Sequence, residues 1–386
     1  MIINLLRCLI SGVLFALAFN TSFWILALFA GIPLFQAFLQ KNSVKQRLLY
    51  ISAFGIPFFI ISLCWLYEFS KILEFSDFQR ALIITIALIL IALYLTVYWA
   101  VPLIIFGGKL KENTKSVIAF SCIFVLGEWL QSLFYPLAFP WSRLANIIAP
   151  FTPFIQSASL FGSLFISLII LLFNGFSALV INNLKEQKKF NHKNRYFRCA
   201  VSVVLGNIVL GFFANIFLYN SSDNKSELNV LMVQGNFPGL VRWYSEDEMF
   251  KTYINLIEEN ITTETDLVLT PEIAIPFNFY KDTEKQQKLL DICAENDVIL
   301  VLGIWTTENN YDYNSMLCLY PDGTYSDVYS KKRLVPFAER LILDDVIDKI
   351  FPTLLNNYTV TEGYKNTVFN TYWDCELIEK KAKRKM

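Results

Sequence analysis

Seven apolar stretches crowd into the first 220 residues of this chain of 386. They cover residues 5 to 19, 22 to 39, 48 to 67, 81 to 106, 116 to 134, 155 to 181 and 199 to 219. Stretches of this length and so little charge can cross a hydrocarbon core about 30 Å thick, and inside it a backbone can satisfy its own polar groups only as helix or closed barrel. A hydrophobic fraction of 55% and an aromatic fraction of 16% exceed the soluble norm, which favours spans over buried core helices. The first two stretches read as a tight hairpin around Asn20, Thr21 and Ser22. Arg7 ahead of an apolar run also fits a signal peptide, but no small-residue cleavage site follows, so the reading keeps this stretch as a span. The expected architecture is an α-helical multi-span bundle over residues 1–220, followed by an α/β domain over residues 221–386.

Net charge is zero, yet the basic residues alternate between loops. Lys41, Lys45 and Arg47 share one loop, Lys109, Lys111 and Lys115 another, and Lys185, Lys188, Lys189, Lys193, Arg195 and Arg198 a third. The loops between them hold Lys71 and Arg80 among Glu68, Glu74 and Asp77, or Arg143 alone. The positive-inside rule then puts the N-terminus in the cytoplasm and, after seven crossings, the second domain on the far face. That orientation accounts for the basic loops without invoking nucleic acid.

After the polar linker at 221–227 the pattern changes to short apolar runs at 228–234, 266–270 and 298–305, separated by helical spacing at 246–260 and 281–296. Strands alternating with helices predict a sheet covered by helices. Two further runs flank Pro321-Asp322-Gly323, which predicts a hairpin of 316–320 with 325–329.

The single histidine, His192, falls in a predicted cytoplasmic loop, which removes Ser-His-Asp and Cys-His catalysis from the second domain. The seven cysteines (Cys8, Cys64, Cys122, Cys199, Cys293, Cys318 and Cys375) form no CxxC pair, and no Gly-rich phosphate loop follows a strand. No metal and no cofactor is expected. Cys293 and Cys318 read as two buried thiols, with a bridge between them as the alternative. What remains is carboxylate, lysine and thiol chemistry. Glu272 and Lys331 each follow a strand end, where side chains converge on a site, and the pair could serve as general base and oxyanion stabiliser in one pocket. By position alone, either is equally well a solvated surface charge, and Glu339 could simply open an exposed helix.

A resemblance adds to that reading. Gly127-Glu128-Trp129-Leu130 and Phe139-Pro140-Trp141 in the bundle are followed by Val233-Gln234-Gly235-Asn236-Phe237-Pro238 and Trp243. Then come Pro271-Glu272-Ile273-Ala274-Ile275-Pro276, Tyr313-Asn314-Ser315, and Tyr329-Ser330-Lys331 leading to Leu334-Val335-Pro336-Phe337-Ala338-Glu339. In this order the motifs resemble the bacterial apolipoprotein N-acyltransferase family, whose outer domain is of the nitrilase (carbon-nitrogen hydrolase) superfamily. The resemblance implies an inner-membrane enzyme with its catalytic domain on the periplasmic face. Through a Cys thioester, such an enzyme moves an acyl group from a phospholipid to the diacylglyceryl-cysteine of an apolipoprotein. Glu272 would manage protons, Lys331 would stabilise the oxyanion, Glu339 would hold the lysine or the substrate, and Trp243 would line the acyl path. Glu128, at the depth of a span, must be paired or reach a polar cavity, and Arg143 or a backbone group is the expected partner.

The family's nucleophile lies at the end of an apolar strand well after the lysine. Here Gly363 and Phe369 resemble the approach to that strand, but the sequence then departs from the family. Cys375 is the only cysteine after Lys331 and is therefore the nucleophile candidate, out of its motif context. A charged tail where the family continues with apolar sequence carries the expectation of a C-terminally truncated or frameshifted copy with little or no transferase activity. The alternative function is a non-catalytic lipid- or lipoprotein-binding remnant, and a polyprenyl sugar transferase is disfavoured because no acidic metal-binding cluster faces a loop.

Overall fold

In the computed structural model the described residues are 1–21, 23–69, 75–134, 137–187, 193–219, 228–237, 246–309, 311–335, 339, 360–364 and 367. The chain divides into two compact units, Met1–Asn224 and Lys225–Met386.

The first unit is helical. Its long helices are α1 (Ile2–Asn20), α2 (Val44–Ser62), α3 (Asp77–Phe106), α4 (Thr114–Leu130), α5 (Ser163–Gln187) and α6 (Arg195–Tyr219). Their starts are written in the sequence. Ser43 with Gln46 and Ser76 with Gln79 form capping boxes at α2 and α3, and the Asn113 side chain caps α4 by accepting from the Ser116 N–H. An aromatic core binds these helices together. Trp99 lies 4.5 Å from Phe124 and 4.8 Å from Phe59, and Phe35 and Phe38 each lie 4.8 Å from Phe120.

Five of these helices are long and apolar enough to span a membrane, so the chain is a multi-pass membrane protein. The two other apolar stretches take a different form. α4 stops at 17 residues. Residues 22 to 39 are not one helix but Trp24–Leu26, Ala27–Ala30 and Ile32–Phe38 in succession. Pro33 has no N–H to give the preceding turn, and the chain breaks there. Asn174 of α5 repairs the break: its Oδ1 accepts the Gly31 N–H at 2.8 Å and its Nδ2 donates to the Ala27 carbonyl at 2.8 Å. Ser11 Oγ accepts the Leu34 N–H at 2.9 Å. A second irregular region, with the short helices Leu144–Ile147, Thr152–Ile155 and Ala158–Phe161, is held the same way. Asn207 of α6 donates to the Phe154 carbonyl at 2.7 Å, and Ser167 Oγ accepts the Ala145 N–H at 3.1 Å. Irregular backbone survives in an apolar bundle only where side chains satisfy it.

Among the described residues, the second unit is built on a six-stranded mixed sheet. β1 (Val230–Met232), β2 (Leu267–Leu269) and β4 (Ile299–Glu308) run parallel, and β3 (Ile275–Asn278) also pairs with β4 in parallel. β5 (Tyr311–Leu319) is antiparallel to β4, and β6 (Tyr329–Ser330) is antiparallel to β5. Two amphipathic helices, α7 (Glu246–Asn260) and α8 (Thr283–Asn296), connect the parallel strands. Their buried faces, Tyr253, Ile254 and Ile257 on α7 and Leu289, Ile292 and Cys293 on α8, share a core with Val268, Leu300, Leu302, Ile304 and Leu317.

The Pro321-Asp322-Gly323 turn is present, with Gly323 at φ 80 and the Tyr320 N–H bonded to the Thr324 carbonyl at 2.9 Å. It joins β5 to β6 as expected, with an antiparallel bridge between Leu319 and Tyr325. The long hairpin is β4–β5, which reverses next to Asn309 at φ 53, while the strand after the predicted turn shortens to Tyr329–Ser330. β3 was not among the expected runs and it contains Pro276; Pro is tolerated where the ladder is irregular, as it is between Ile275 and Asn278.

Candidate active site

Four side chains meet where β2 and β6 end, beside the interior of β5. Glu272 enters from the loop after β2. Its neighbour Ile273 is a buried, β-branched residue at φ 47, a left-handed conformation that costs such a side chain about 1–2 kcal/mol. This turn is pressed against β4 at Gly303, where a Cβ would stand 2.2 Å from the Pro271 carbonyl oxygen and 3.0 Å from the Glu272 Cα. Only glycine allows the loop to lie that close. The Gly303 N–H is in turn held by Thr270 Oγ1 at 3.1 Å.

Lys331 follows β6 and is clamped through its own backbone. Its N–H donates to the Asn314 carbonyl at 2.8 Å, and its carbonyl accepts the Gly363 N–H at 2.9 Å. Gly363 makes a second close approach, since a Cβ there would lie 2.1 Å from the Ser330 carbonyl oxygen. Beneath the site a row of hydroxyls ties three strands together, with Thr306 Oγ1 2.6 Å from Ser315 Oγ and Ser315 Oγ 3.2 Å from Ser330 Oγ.

The ammonium of Lys331 donates to Glu272 Oε1 at 2.8 Å and to Glu339 at 3.0 Å (Oε1) and 2.9 Å (Oε2). Glu339 Oε2 also accepts the Val335 N–H at 2.8 Å, which fixes the carboxylate to the segment that carries the lysine. Asn314, 4% exposed, completes a square: its Nδ2 donates to Glu339 Oε1 at 3.0 Å and to Glu272 Oε1 in a short contact. Partial burial works against the Lys331 charge, but the hydrogen bonds to Glu272 and Glu339 and their charges outweigh it, and the amine is held above the ordinary lysine value. Such a lysine is a fixed cation, suited to stabilising a developing oxyanion and not to taking protons. Glu272, with its side chain 55% exposed, is the more accessible of the two carboxylates.

The structure therefore brings Glu272, Lys331 and Glu339 together. Trp243, Cys375, His192 and Phe369 lie outside the described residues. Cys293 and Cys318 are free, buried thiols; burial pushes Cys293 up to about 12 and Cys318 up to about 11, so neither is a ready thiolate. Asn314 is the site residue that sequence reasoning quoted within a motif and gave no role. Asn is depleted in strand interiors, and its place in the middle of β5 was the available signal. In the first unit, Glu128 is fully buried and its Oε1 accepts the Leu144 N–H at 3.0 Å, while Arg143 donates to Ser163 Oγ at 3.1 Å. Of the two expected partners for Glu128, the backbone group is the one in hydrogen-bond contact.

Residues 11–176 match the family described as apolipoprotein N-acyltransferase N-terminal domain, and residues 230–372 match carbon-nitrogen hydrolase. The two matches fall one in each compact unit, in that order. The chain belongs to the apolipoprotein N-acyltransferase family. Among its relatives, the apolipoprotein N-acyltransferase of Coxiella burnetii is 25% identical over 341 residues, covering 87% of this chain and 67% of its own length. Those of Aquifex aeolicus (26%, covering 87% and 70%) and Rickettsia prowazekii (23%, covering 88% and 67%) are similar to it in the same way. This chain thus spans about two thirds of the length of these family members. Apolipoprotein N-acyltransferases are enzymes, and the carbon-nitrogen hydrolase match covers Glu272, Lys331, Glu339 and Asn314.

Proposed function

We propose that this chain N-acylates lipoproteins, taking a fatty acyl group from a membrane phospholipid and passing it through a Cys thioester to the amino group of an N-terminal diacylglyceryl-cysteine. The observation that carries the proposal is the ammonium of Lys331 held between the carboxylates of Glu272 and Glu339. In the first half-reaction the thiol proton passes to Glu272 and the sulfur attacks the ester carbonyl. Lys331 faces the oxyanion of the tetrahedral intermediate, and the C–O bond to the lysophospholipid breaks as Glu272 returns the proton to the leaving oxygen. In the second, the amine attacks the thioester, Glu272 takes a proton from the nitrogen, the C–S bond breaks and the sulfur is reprotonated. Glu339 positions the lysine, and Trp243 lines the acyl path. Cys375 is the sulfur this reading assigns.

The unequal charge of the loops around Lys45, Lys111 and Lys189 supports an inner-membrane orientation with these loops in the cytoplasm and the second unit on the periplasmic side. Reporter fusions at Lys189 and Asp297 test it; both reporting the same side sinks the orientation.

The deciding experiment is transfer of a labelled acyl chain from phospholipid vesicles to a diacylglyceryl-peptide by the purified full chain. Wild type transfers, Lys331→Ala and Glu272→Gln do not, and Cys375→Ala forms no acyl-enzyme. Binding of the lipopeptide without transfer by any of the proteins supports instead a non-catalytic lipoprotein-binding role.

A further inference from the structure

We propose that Asn314 is a positioning residue that fixes the direction of the Lys331 ammonium by holding both carboxylates that grip it. The square described above has two nitrogens, Lys331 Nζ and Asn314 Nδ2, and two oxygens, Glu272 Oε1 and Glu339 Oε1; all four nitrogen–oxygen pairings are hydrogen-bond contacts. An asparagine amide carries two N–H donors, and both are used here on carboxylates. An ammonium carries three, and here they lie against Glu272 Oε1 and both oxygens of Glu339.

Two carboxylates around one cation have an alternative arrangement, in which one swings away from its like-charged neighbour toward water. The half-exposed Glu272 side chain is the one with room to do so. Asn314 opposes this with a neutral donor that adds no charge, is itself buried, and sits in the middle of a strand. The same residue sets the lysine from below, because its carbonyl accepts the Lys331 N–H at 2.8 Å. One strand residue therefore fixes both the backbone of the lysine and the two acceptors at its tip. An aspartate would be nearly the same size but would put a third carboxylate against the other two.

The catalytic consequence rests on the acyl-transfer reading; the positioning itself does not. The test is the pH dependence of Lys331 amidination by methyl acetimidate, which reacts with the neutral amine, in the full chain in detergent, read at Lys331 by mass spectrometry. Asn314→Ala removes one donor that holds Glu272 in place and moves the labelling midpoint to lower pH by about half a unit or more. Asn314→Asp adds negative charge and moves it to higher pH. Opposite shifts from two changes at one position do not arise from loosened packing, which would move both the same way. Unchanged midpoints, or a rise in both variants, overturn the proposal. Where the wild type transfers acyl groups, Asn314→Ala lowers kcat roughly 10- to 100-fold with KM nearly unchanged. If the wild type does not transfer, the acyl-transfer reading fails while the labelling midpoints still decide the role of Asn314.

Discussion

Both units of the protein hold carboxylates in hydrogen bonds, and they use them for opposite ends. In the helical unit Glu128 is wholly buried and spends its Oε1 on a backbone N–H, that of Leu144. In the sheet unit Glu272 and Glu339 hold a cation and an amide. The difference follows from where backbone hydrogen bonds go. A helix broken within an apolar bundle strands N–H and C=O groups that no water can reach, so polar side chains nearby are recruited to them. Asn174, Ser11, Ser167 and Asn207 do the same at the other breaks. At the ends of a sheet the strands have already paired their backbone, and the side chains there are left to act on one another and on whatever binds.

The strongest way to break this comparison is to remove the cation. Lys331→Ala should cost acyl transfer roughly 10²–10³-fold, as loss of an oxyanion donor does, while the thermal midpoint of the chain in detergent changes little. If stability collapses instead, the lysine is structural and the two units use their polar groups alike.

Glu128 should behave in reverse. Glu128→Leu leaves the Leu144 N–H without an acceptor and should destabilise the helical unit by about 1–3 kcal/mol, read as the unfolding midpoint in detergent. Glu128→Gln keeps an oxygen acceptor and should be close to wild type. Equal damage by both would show that the charge of Glu128 matters and not its role as acceptor. Asn174→Leu, which removes the bonds to Gly31 and Ala27, should cost roughly 1–2 kcal/mol.

The smallest effect concerns pH. Lys331 is held above the ordinary lysine value of 10.5, so the stability it contributes is complete below that value and is lost as pH rises through its higher folded value. Because the group is partly exposed, the loss should be less than about 1 kcal/mol, seen as a slightly steeper fall in the midpoint on the alkaline side than in Lys331→Met. A steeper fall on the acid side alone would contradict the assignment.

Much of the fold could be read from local pattern. Ser43-Val44-Lys45-Gln46 and Ser76-Asp77-Phe78-Gln79 mark helix starts by chemistry confined to one turn, and the spacing of Met249, Tyr253 and Ile257 marks α7. β1, β2 and β4 were legible as apolar runs. Glu272 and Lys331 were legible as charges at strand ends. Less legible were features whose causes lie far along the chain. The break at Gly31 is stabilised by Asn174, 143 residues away, and hydropathy alone reads that stretch as one span. β3 pairs with β4 despite Pro276, because the ladder is irregular there.

By itself, then, the sequence determined the order of a multi-span bundle and an α/β domain, the starts of the helices, and which residue types were available for chemistry. These depend on periodicity and on caps, whose interactions reach no farther than a few residues. The tertiary structure alone decided that one lysine is gripped by two carboxylates and an asparagine from three different segments. It also decided that a buried glutamate in the bundle serves a backbone N–H. Both outcomes depend on which chain segments lie within about 3 Å of one another, a distance that only the folded register of strands and helices sets.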